Sequence, residues 1–189
     1  NALTAIGICK ACGIADEVIE KALNSAKGVK GRAEIVDCGK DFTLLIDYAH
    51  TPDALENVLK TLREIAPDHE LICLFGCGGD RDRTKRPEMA RIAEKMADRI
   101  IVTSDNSRTE KTTDIMADIK AGLELSGRAK SLFIEDREQA IRTAIMIAGQ
   151  GATILLAGKG HETYQIIGKE KHHFDEKEIV NGIFAEMSI

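Results

Sequence analysis

Nowhere in this 189-residue sequence is there an apolar run of the roughly 20 residues needed to cross a bilayer, and no secretory leader is visible. A soluble cytoplasmic protein, with no membrane partner, is therefore the default expectation. A long basic run is also missing. With 26 Lys and Arg against 31 Asp and Glu, the net charge of −5 argues against nucleic acid as the main partner. Cysteine is sparse and odd in number, at five, and Cys9 and Cys12 form a C-x-x-C with no second pair at metal-ligand spacing. Four of the five lie in or beside apolar runs. Reduced core thiols are the expectation, with metal or redox use as the alternative. Neither nucleotide-loop signature is complete. The dinucleotide pattern that Gly76 and Gly78 begin needs a glycine where Arg81 stands, and Gly158-Lys159 is followed by Gly160 rather than Ser or Thr. Repeats and low-complexity tracts are absent as well.

What is present suits one domain with a small appendage, large enough to bury about 70% of its unfolded surface. Residues 1 to about 25 read as two short helices broken at Gly13. Asp16 is placed to cap the second, whose apolar face is Val18, Ile19, Ala22 and Leu23. Gly28-Val29-Lys30-Gly31-Arg32 is a turn-rich linker. Ala33 to Cys38 and Phe42 to Asp47 read as strands flanking a Gly39-Lys40-Asp41 turn. From there the pattern alternates. Strands are predicted near 70–75, 99–103, 131–134 and 153–157, and helices near 53–66, 86–97, 112–124, 137–149 and 176–187. Such alternation implies a mostly parallel sheet with helices on both faces.

Four polar or glycine-rich segments follow four of the strands: Asp47-Tyr48-Ala49-His50-Thr51-Pro52, Gly76-Cys77-Gly78-Gly79-Asp80-Arg81-Asp82, Ser104-Asp105-Asn106-Ser107-Arg108 and Gly158-Lys159-Gly160-His161-Glu162. In open α/β sheets, ligands bind beyond the carboxyl ends of the strands, so these loops define one candidate site. Pro52 fits the first turn of a helix, whose N-terminus favours an anion. The charges after the second glycine loop, through Lys85 and Arg86, point to a ligand loop, and a solvated helix start is the alternative. Arg108 offers a planar fork suited to a carboxylate. His69, His172 and His173 lie among polar residues and are given no role.

In this order, the four motifs resemble those of the Mur ligases, and Gly28-Val29-x-Gly31-Arg32 resembles the hinge before the C-terminal domain of that family. The resemblance covers essentially the whole chain. It implies a Rossmann-like, mostly parallel six-stranded sheet with flanking helices over residues 28–189, the amino-acid-binding domain. It implies that residues 1–27 are the helical tail of a central ATPase domain. The implied reaction is ADP-forming amide synthesis: ATP activates a carboxylate of a UDP-N-acetylmuramoyl-dipeptide as an acyl phosphate, which the amine of a diamino acid attacks. ATP and Mg2+ would be held mainly by the central domain, whose P-loop, magnesium ligands and carbamylated lysine have no counterpart here. The other implied partners are the protein's own N-terminal and central domains. No catalytic nucleophile and no metal ligand is assigned to this chain. By resemblance, Arg32, Asp47 and His50 lie on the nucleotide side, and Arg81, Asp105, Asn106, Arg108, Gly158 and Glu162 line the diamino-acid pocket.

One departure bears on the substrate. Family members that use meso-diaminopimelate usually read D-N-P-R, and here Ser107 replaces the proline while Arg108 is kept. A distal carboxylate on the amino acid is favoured, with room for a diaminopimelate analogue. Two other functions remain open from the sequence, a stand-alone nucleotide- or amino-acid-binding module and a folylpolyglutamate synthase relative. Without a P-loop of its own, the chain by itself is expected to have neither ATPase nor ligase activity. Measurable ADP release from it in the presence of dipeptide and diamino acid would contradict that expectation.

Overall fold

The protein is described here by a computed structural model that covers residues 2–26, 28–37 and 39–187. Apolar runs become strands: β1 (Glu34–Val36), β2 (Thr43–Asp47), β3 (Leu71–Phe75), β4 (Arg99–Val102), β5 (Ser131–Phe133) and β6 (Thr153–Ala157). They form one six-stranded sheet in the order β1-β2-β6-β3-β4-β5. Only β1 runs antiparallel; β2, β6, β3, β4 and β5 pair in parallel. β3 and β6 are buried along their whole length. This explains why their sequences, Leu-Ile-Cys-Leu-Phe and Thr-Ile-Leu-Leu-Ala, read as unbroken apolar runs and do not alternate.

Successive strand residues point to opposite faces, and the core divides accordingly. On one face Leu45, Cys73, Phe75, Ile100, Val102 and Leu155 pack against α3 (Pro52–Ile65), α4 (Lys85–Met96) and α5 (Thr112–Lys120). On the other, Leu44, Ile46, Ile72, Leu74, Ile101 and Leu156 pack against α7 (Arg137–Ile147) and α8 (Glu176–Met187). The result is three layers, with the carboxyl ends of β2, β6, β3 and β4 side by side at one edge. The Rossmann-like architecture expected from the sequence is the one observed.

The helices are set by local signals. Thr51 caps α3 by accepting the Ala54 N–H at 3.3 Å, and Pro52 fills the first turn. Asp136 caps α7 by accepting from the Gln139 N–H at 2.9 Å. The single helix expected over 112–124 is instead α5 followed, after a turn at Gly122, by the short α6 (Leu125–Ala129). Gly122 lies so close to the backbone of Pro87 on α4 that a Cβ has no room, so the chain can turn there only with glycine. Pattern reading also passed over a two-stranded hairpin, β7 (Tyr164–Ile167) and β8 (Glu170–His173), which turns at Gly168 with φ of 61°.

The N-terminal helices, α1 (Ala2–Ala11) and α2 (Asp16–Ser25), are formed as expected but bury little. Of the anticipated apolar face only Ile19 is buried, and Val18 and Leu23 stay exposed. Asp16 is the first residue of α2 and not its cap; it pairs with Lys10 at 3.0 Å. The core-thiol expectation holds for Cys73 and Cys77, whose thiols burial pushes up to about 12. It fails for Cys12, which is exposed, and for Cys9, which is half-buried. Cys38 lies outside the described residues.

One buried ion pair holds the site-bearing strand ends to the helices behind them. Arg137 at the start of α7 and Glu176 at the start of α8 are 0% and 1% exposed and meet at 2.8 Å. Arg137 also donates to the carbonyl of Ser104, just beyond β4, at 3.0 Å, and to that of Ala157, the last residue of β6, at 2.9 Å. Removing one member of such a pair typically costs about 3–5 kcal/mol, because its partner is left charged and dry. Arg137→Met is therefore expected to destabilise the protein by about that much in urea unfolding. Arg137→Met combined with Glu176→Leu should recover part of the loss. It should not recover all of it, since two carbonyls still lack their donor. Equal stability of the single and double variants would contradict this account.

Candidate functional site

Each of the four loops is fixed at the strand end by its own backbone chemistry. After β2, Asp47 accepts from the N–H of Ala49 at 2.8 Å and, with its other oxygen, from the N–H of Ala33 at 2.7 Å. Ala33 has a φ of 44°, so this carboxylate pins the linker in a conformation that a non-glycine residue seldom adopts. Tyr48 sits between three groups. The His50 and His161 rings lie 4.7 and 5.2 Å from its ring, and the Arg32 guanidinium lies 4.9 Å from its centroid. Burial, with the charges of Glu162 and Asp105, raises the phenol above its usual range. The Nδ1 of His50 faces the carbonyl of Tyr48 at 2.9 Å and donates to it.

The glycine loop after β3 owes its glycines to packing. A Cβ on Gly76 would strike the Thr103 carbonyl, and one on Gly79 would strike the Ser107 carbonyl. The Gly79 N–H donates to Asn106 O at 2.9 Å. The glycine and Asp105 loops are thus pressed together, backbone on backbone.

The basic run that follows is divided in its roles. Arg81 is exposed and Lys85 half-buried, and both face the space above the loops. Lys85 also donates to the His50 carbonyl at 2.7 Å. Arg83 pairs with Asp118 at 2.9 Å, and Arg86 is wholly buried, so neither is placed as the ligand group that the charge density suggested. Arg86 grips Glu110 with both terminal nitrogens, at 2.8 and 2.9 Å, and Asp118 at 2.8 Å.

The loop after β4 is held on its outer side by the hairpin. Ile166 N–H donates to the Asn106 side-chain oxygen at 2.9 Å, and Gln165 donates to Ser104 Oγ and Asp105 O at 2.8 and 3.0 Å. Arg108 N–H donates to Ile166 O at 3.1 Å and Gly168 N–H to Arg108 O at 2.7 Å. These bonds keep Arg108 at a φ of 51°. Its Nη1 donates to Gly79 O at 2.8 Å and Asn106 O at 3.3 Å. After β6, Gly158 and Gly160 take φ of 116° and 53° and turn the chain so that Glu162 reaches the Asn106 amide at 3.0 Å.

The loops enclose an open cavity of about 450 Å3. Its lining includes seven of the nine residues expected from the sequence: His50, Arg81, Asp105, Asn106, Arg108, Gly158 and Glu162. Arg32 stands behind Tyr48, and Asp47 is occupied with backbone amides, so these two are not in the wall. Thr51 and Lys85 line the cavity as well, so of the basic run expected to form a ligand loop Lys85 does face the site. Two guanidinium groups, the Lys85 ammonium and three carboxylates, those of Asp82, Asp105 and Glu162, face one volume and suit a ligand that carries both charges. Among the described residues no group of three or more His, Cys, Asp or Glu is placed to hold a metal ion.

Comparison with known proteins agrees with this geometry. Residues 31–160 match the family model described as Mur ligase, glutamate ligase domain. The UDP-N-acetylmuramoyl-L-alanyl-D-glutamate–2,6-diaminopimelate ligase of Fusobacterium nucleatum is 51% identical over 179 residues, 95% of this chain and 36% of that protein. The ligase of the same name from Clostridioides difficile is 47% identical over 187 residues, 99% of this chain and 38% of that protein. The chain thus spans little more than a third of these relatives. A solved ligase of that name superposes with a TM-score of 0.79 at 37% identity, over 99% of this chain and 38% of that one. A folylpolyglutamate synthase from Thermotoga maritima superposes with 0.60 at 25% identity, over 83% and 34%.

Glu110 ties this site to pH. Its carboxyl is held down to about 2 by Arg86, with help from the Asp80 N–H and against the effect of burial. The folded value lies below the ordinary 4.5, so the stabilisation is complete above about pH 4.5 and is lost as pH falls toward 2. In urea unfolding, the stability gap between wild type and Glu110→Gln is expected to be widest at neutral pH and to narrow below about 4.5. A gap that does not change with pH would refute the assignment.

Proposed function

Starting from the fact that this chain belongs to the Mur ligase family through its glutamate ligase domain, we propose that it is the amino-acid-binding part of an ATP-dependent, ADP-forming ligase. The enzyme adds a diamino acid, meso-diaminopimelate or an analogue, to UDP-N-acetylmuramoyl-L-alanyl-D-glutamate. Residues 1–27 are the tail of a central ATPase domain and 28–189 the domain that closes over it. ATP and Mg2+ are held mainly by that central domain, and the work is cytoplasmic, where nucleotide-linked precursors and ATP are found. The single observation that carries this reading is that Arg81, Arg108, Asp105 and Glu162 line one cavity.

A diaminopimelate has two carboxylates and two ammonium groups. Arg81 and Arg108 bind its distal carboxylate, for which a planar guanidinium is geometrically suited. Glu162 and Asp105, with the Asn106 amide, receive an ammonium group, and Gly158 leaves space beside them. A Cβ there would come within 3.1 Å of the Asp105 carboxylate. Arg32, Asp47 and His50 serve the nucleotide side, Asp47 by fixing the linker that carries Arg32. The amine that is not gripped by acid is the one free to attack the activated glutamyl carboxyl. The domain supplies no nucleophile; it contributes orientation, and burial of the reacting groups from water. Ser107 in place of proline loosens nothing visible in this loop, which the hairpin holds, so the distal end of the pocket is set by Arg108.

The test is substrate choice in the whole ligase under saturating ATP. A charged hydrogen bond contributes roughly 1.5–3 kcal/mol, so Arg108→Ala should lower kcat/KM for diaminopimelate about ten- to hundredfold. The loss for lysine, which lacks the distal carboxylate, should be much smaller, so discrimination collapses while basal activity survives. A wild type that prefers lysine, or equal losses for both substrates, would overturn the clamp.

A further inference from the structure

Lys159 stands between the two glycines of the loop after β6, where a basic side chain would be expected to reach out to a ligand. It does the opposite. Positive φ at Gly158 and Gly160 on either side of it turns the lysine inward, and its side chain is 0% exposed. The ammonium nitrogen lies 3.6 Å from a carboxylate oxygen of Asp105, 3.6 Å from one of Glu162 and 3.4 Å from the side-chain oxygen of Asn106. Its three donors are thus directed at three residues of the cavity wall, from behind that wall.

We propose that Lys159 is a positioning residue, an internal counter-cation that holds Asp105, Asn106 and Glu162 together and sets the charge of the pocket that receives the amino acid. Asp105, Glu162 and Lys159 together leave their side of the cavity with a single negative charge, opposite the Arg81, Lys85 and Arg108 cations and Asp82 in the same wall; one ammonium group of the incoming amino acid neutralises it. The contacts are longer than full hydrogen bonds. This is the slack expected of a site that tightens when its ligand arrives. An apolar residue would fill the same buried volume without the desolvation that a buried ammonium suffers, so its retention calls for a role that only charge performs. The inference deepens the ligase reading and rests on it for the identity of the ligand.

Other charges surround the cluster: Arg81, Asp82, Lys85 and Arg108 line the same cavity. Behind it Arg137 and Glu176 meet at 2.8 Å, the Tyr48 phenol feels both Glu162 and Asp105, and the Phe174 ring lies 5.8 Å from the ammonium. Burial raises the Asp105 carboxyl, but the charges of Lys159 and Arg137 and the Asn106 N–H outweigh it and hold it below its ordinary range. Without Lys159 the Asp105 carboxyl loses the largest of the charges that hold it down, keeps only Arg137 and the Asn106 N–H, and takes up its proton at higher pH.

The experiment uses the whole ligase with ATP, dipeptide and diaminopimelate. Lys159→Met is expected to raise the KM for the amino acid on the order of tenfold or more while the KM for ATP stays within about twofold. The acid limb of its kcat/KM profile for the amino acid should move up by about one pH unit or more. An unmoved limb, or equal losses in the KM for ATP and for the amino acid, would overturn the proposal. If Lys159→Met does not fold, Asp105→Asn is compared with Asp105→Asn combined with Lys159→Gln. The single substitution leaves that side of the cavity neutral and should weaken amino-acid binding; the second restores one negative charge and should recover several-fold of the KM. A further loss on adding Lys159→Gln would show a purely structural lysine and reject the role. A wild-type enzyme that forms ADP with no diamino acid would refute the ligase reading itself, whereas an active wild type with unaffected Lys159 variants would refute only this inference.

Discussion

The contact on which the site most depends lies outside it. Arg137 brings the first turns of α7 and α8 together through Glu176 and, with its remaining nitrogens, takes the carbonyls at the ends of β4 and β6. Ser104 opens the loop that carries Asp105, Asn106 and Arg108, and Ala157 immediately precedes the loop that carries Gly158 and Glu162. A parallel sheet ends each strand with carbonyls that have no neighbour to donate to them, and at a buried sheet edge such acceptors are costly. One guanidinium answers two of them and, in doing so, fixes the separation of the loops. The bond of Asp47 to the linker performs a similar task on the neighbouring strand with the opposite charge.

The loops are consequently built from the inside outward. Lys159 and Asn106 connect Asp105 to Glu162, Gln165 and Ile166 fasten the Asp105 loop from the hairpin, and Arg86 with Glu110 braces the glycine loop. The buried charged side chains near the cavity are paired, Lys159 with Asp105 and Glu162, and Arg137 with Glu176. Such an arrangement fits preorganisation, in which the cost of assembling like charges is met in folding and does not recur at each binding event.

Much of this was legible in the sequence, for identifiable reasons. Buried parallel strands announce themselves as short apolar runs, and β2, β3, β4 and β6 were placed within a residue or two. The loops at their ends carried residue types that turn formation alone does not need, Arg108 above all. What escaped depends on partners remote in sequence. Lys159 meets Asp105 and Asn106 more than fifty residues away, and nothing in Gly-Lys-Gly shows that the lysine turns inward. The hairpin escaped because β8 is Glu-Lys-His-His, wholly exposed, with no apolar period to read. Arg83 and Arg86 looked like ligand groups because a sequence shows charge but not the acids, Glu110 and Asp118, that answer it.

The close approach of the loops limits how such a site can change over time. Gly79 rests on the Ser107 carbonyl, Gly76 on that of Thr103, and Gly31 and Gly160 lie against each other beneath Tyr48. None of these loops can lengthen, or acquire a side chain at the contact, without moving the one it touches. A single insertion would therefore displace the neighbouring loop, and keeping the contact would demand two simultaneous changes. Variation is funnelled into the few side chains that point into the cavity. Diversity of substrate in a scaffold of this kind should then appear as point replacements on a loop framework of constant length, and a segment grafted from another protein would have to travel together with its glycine counterpart.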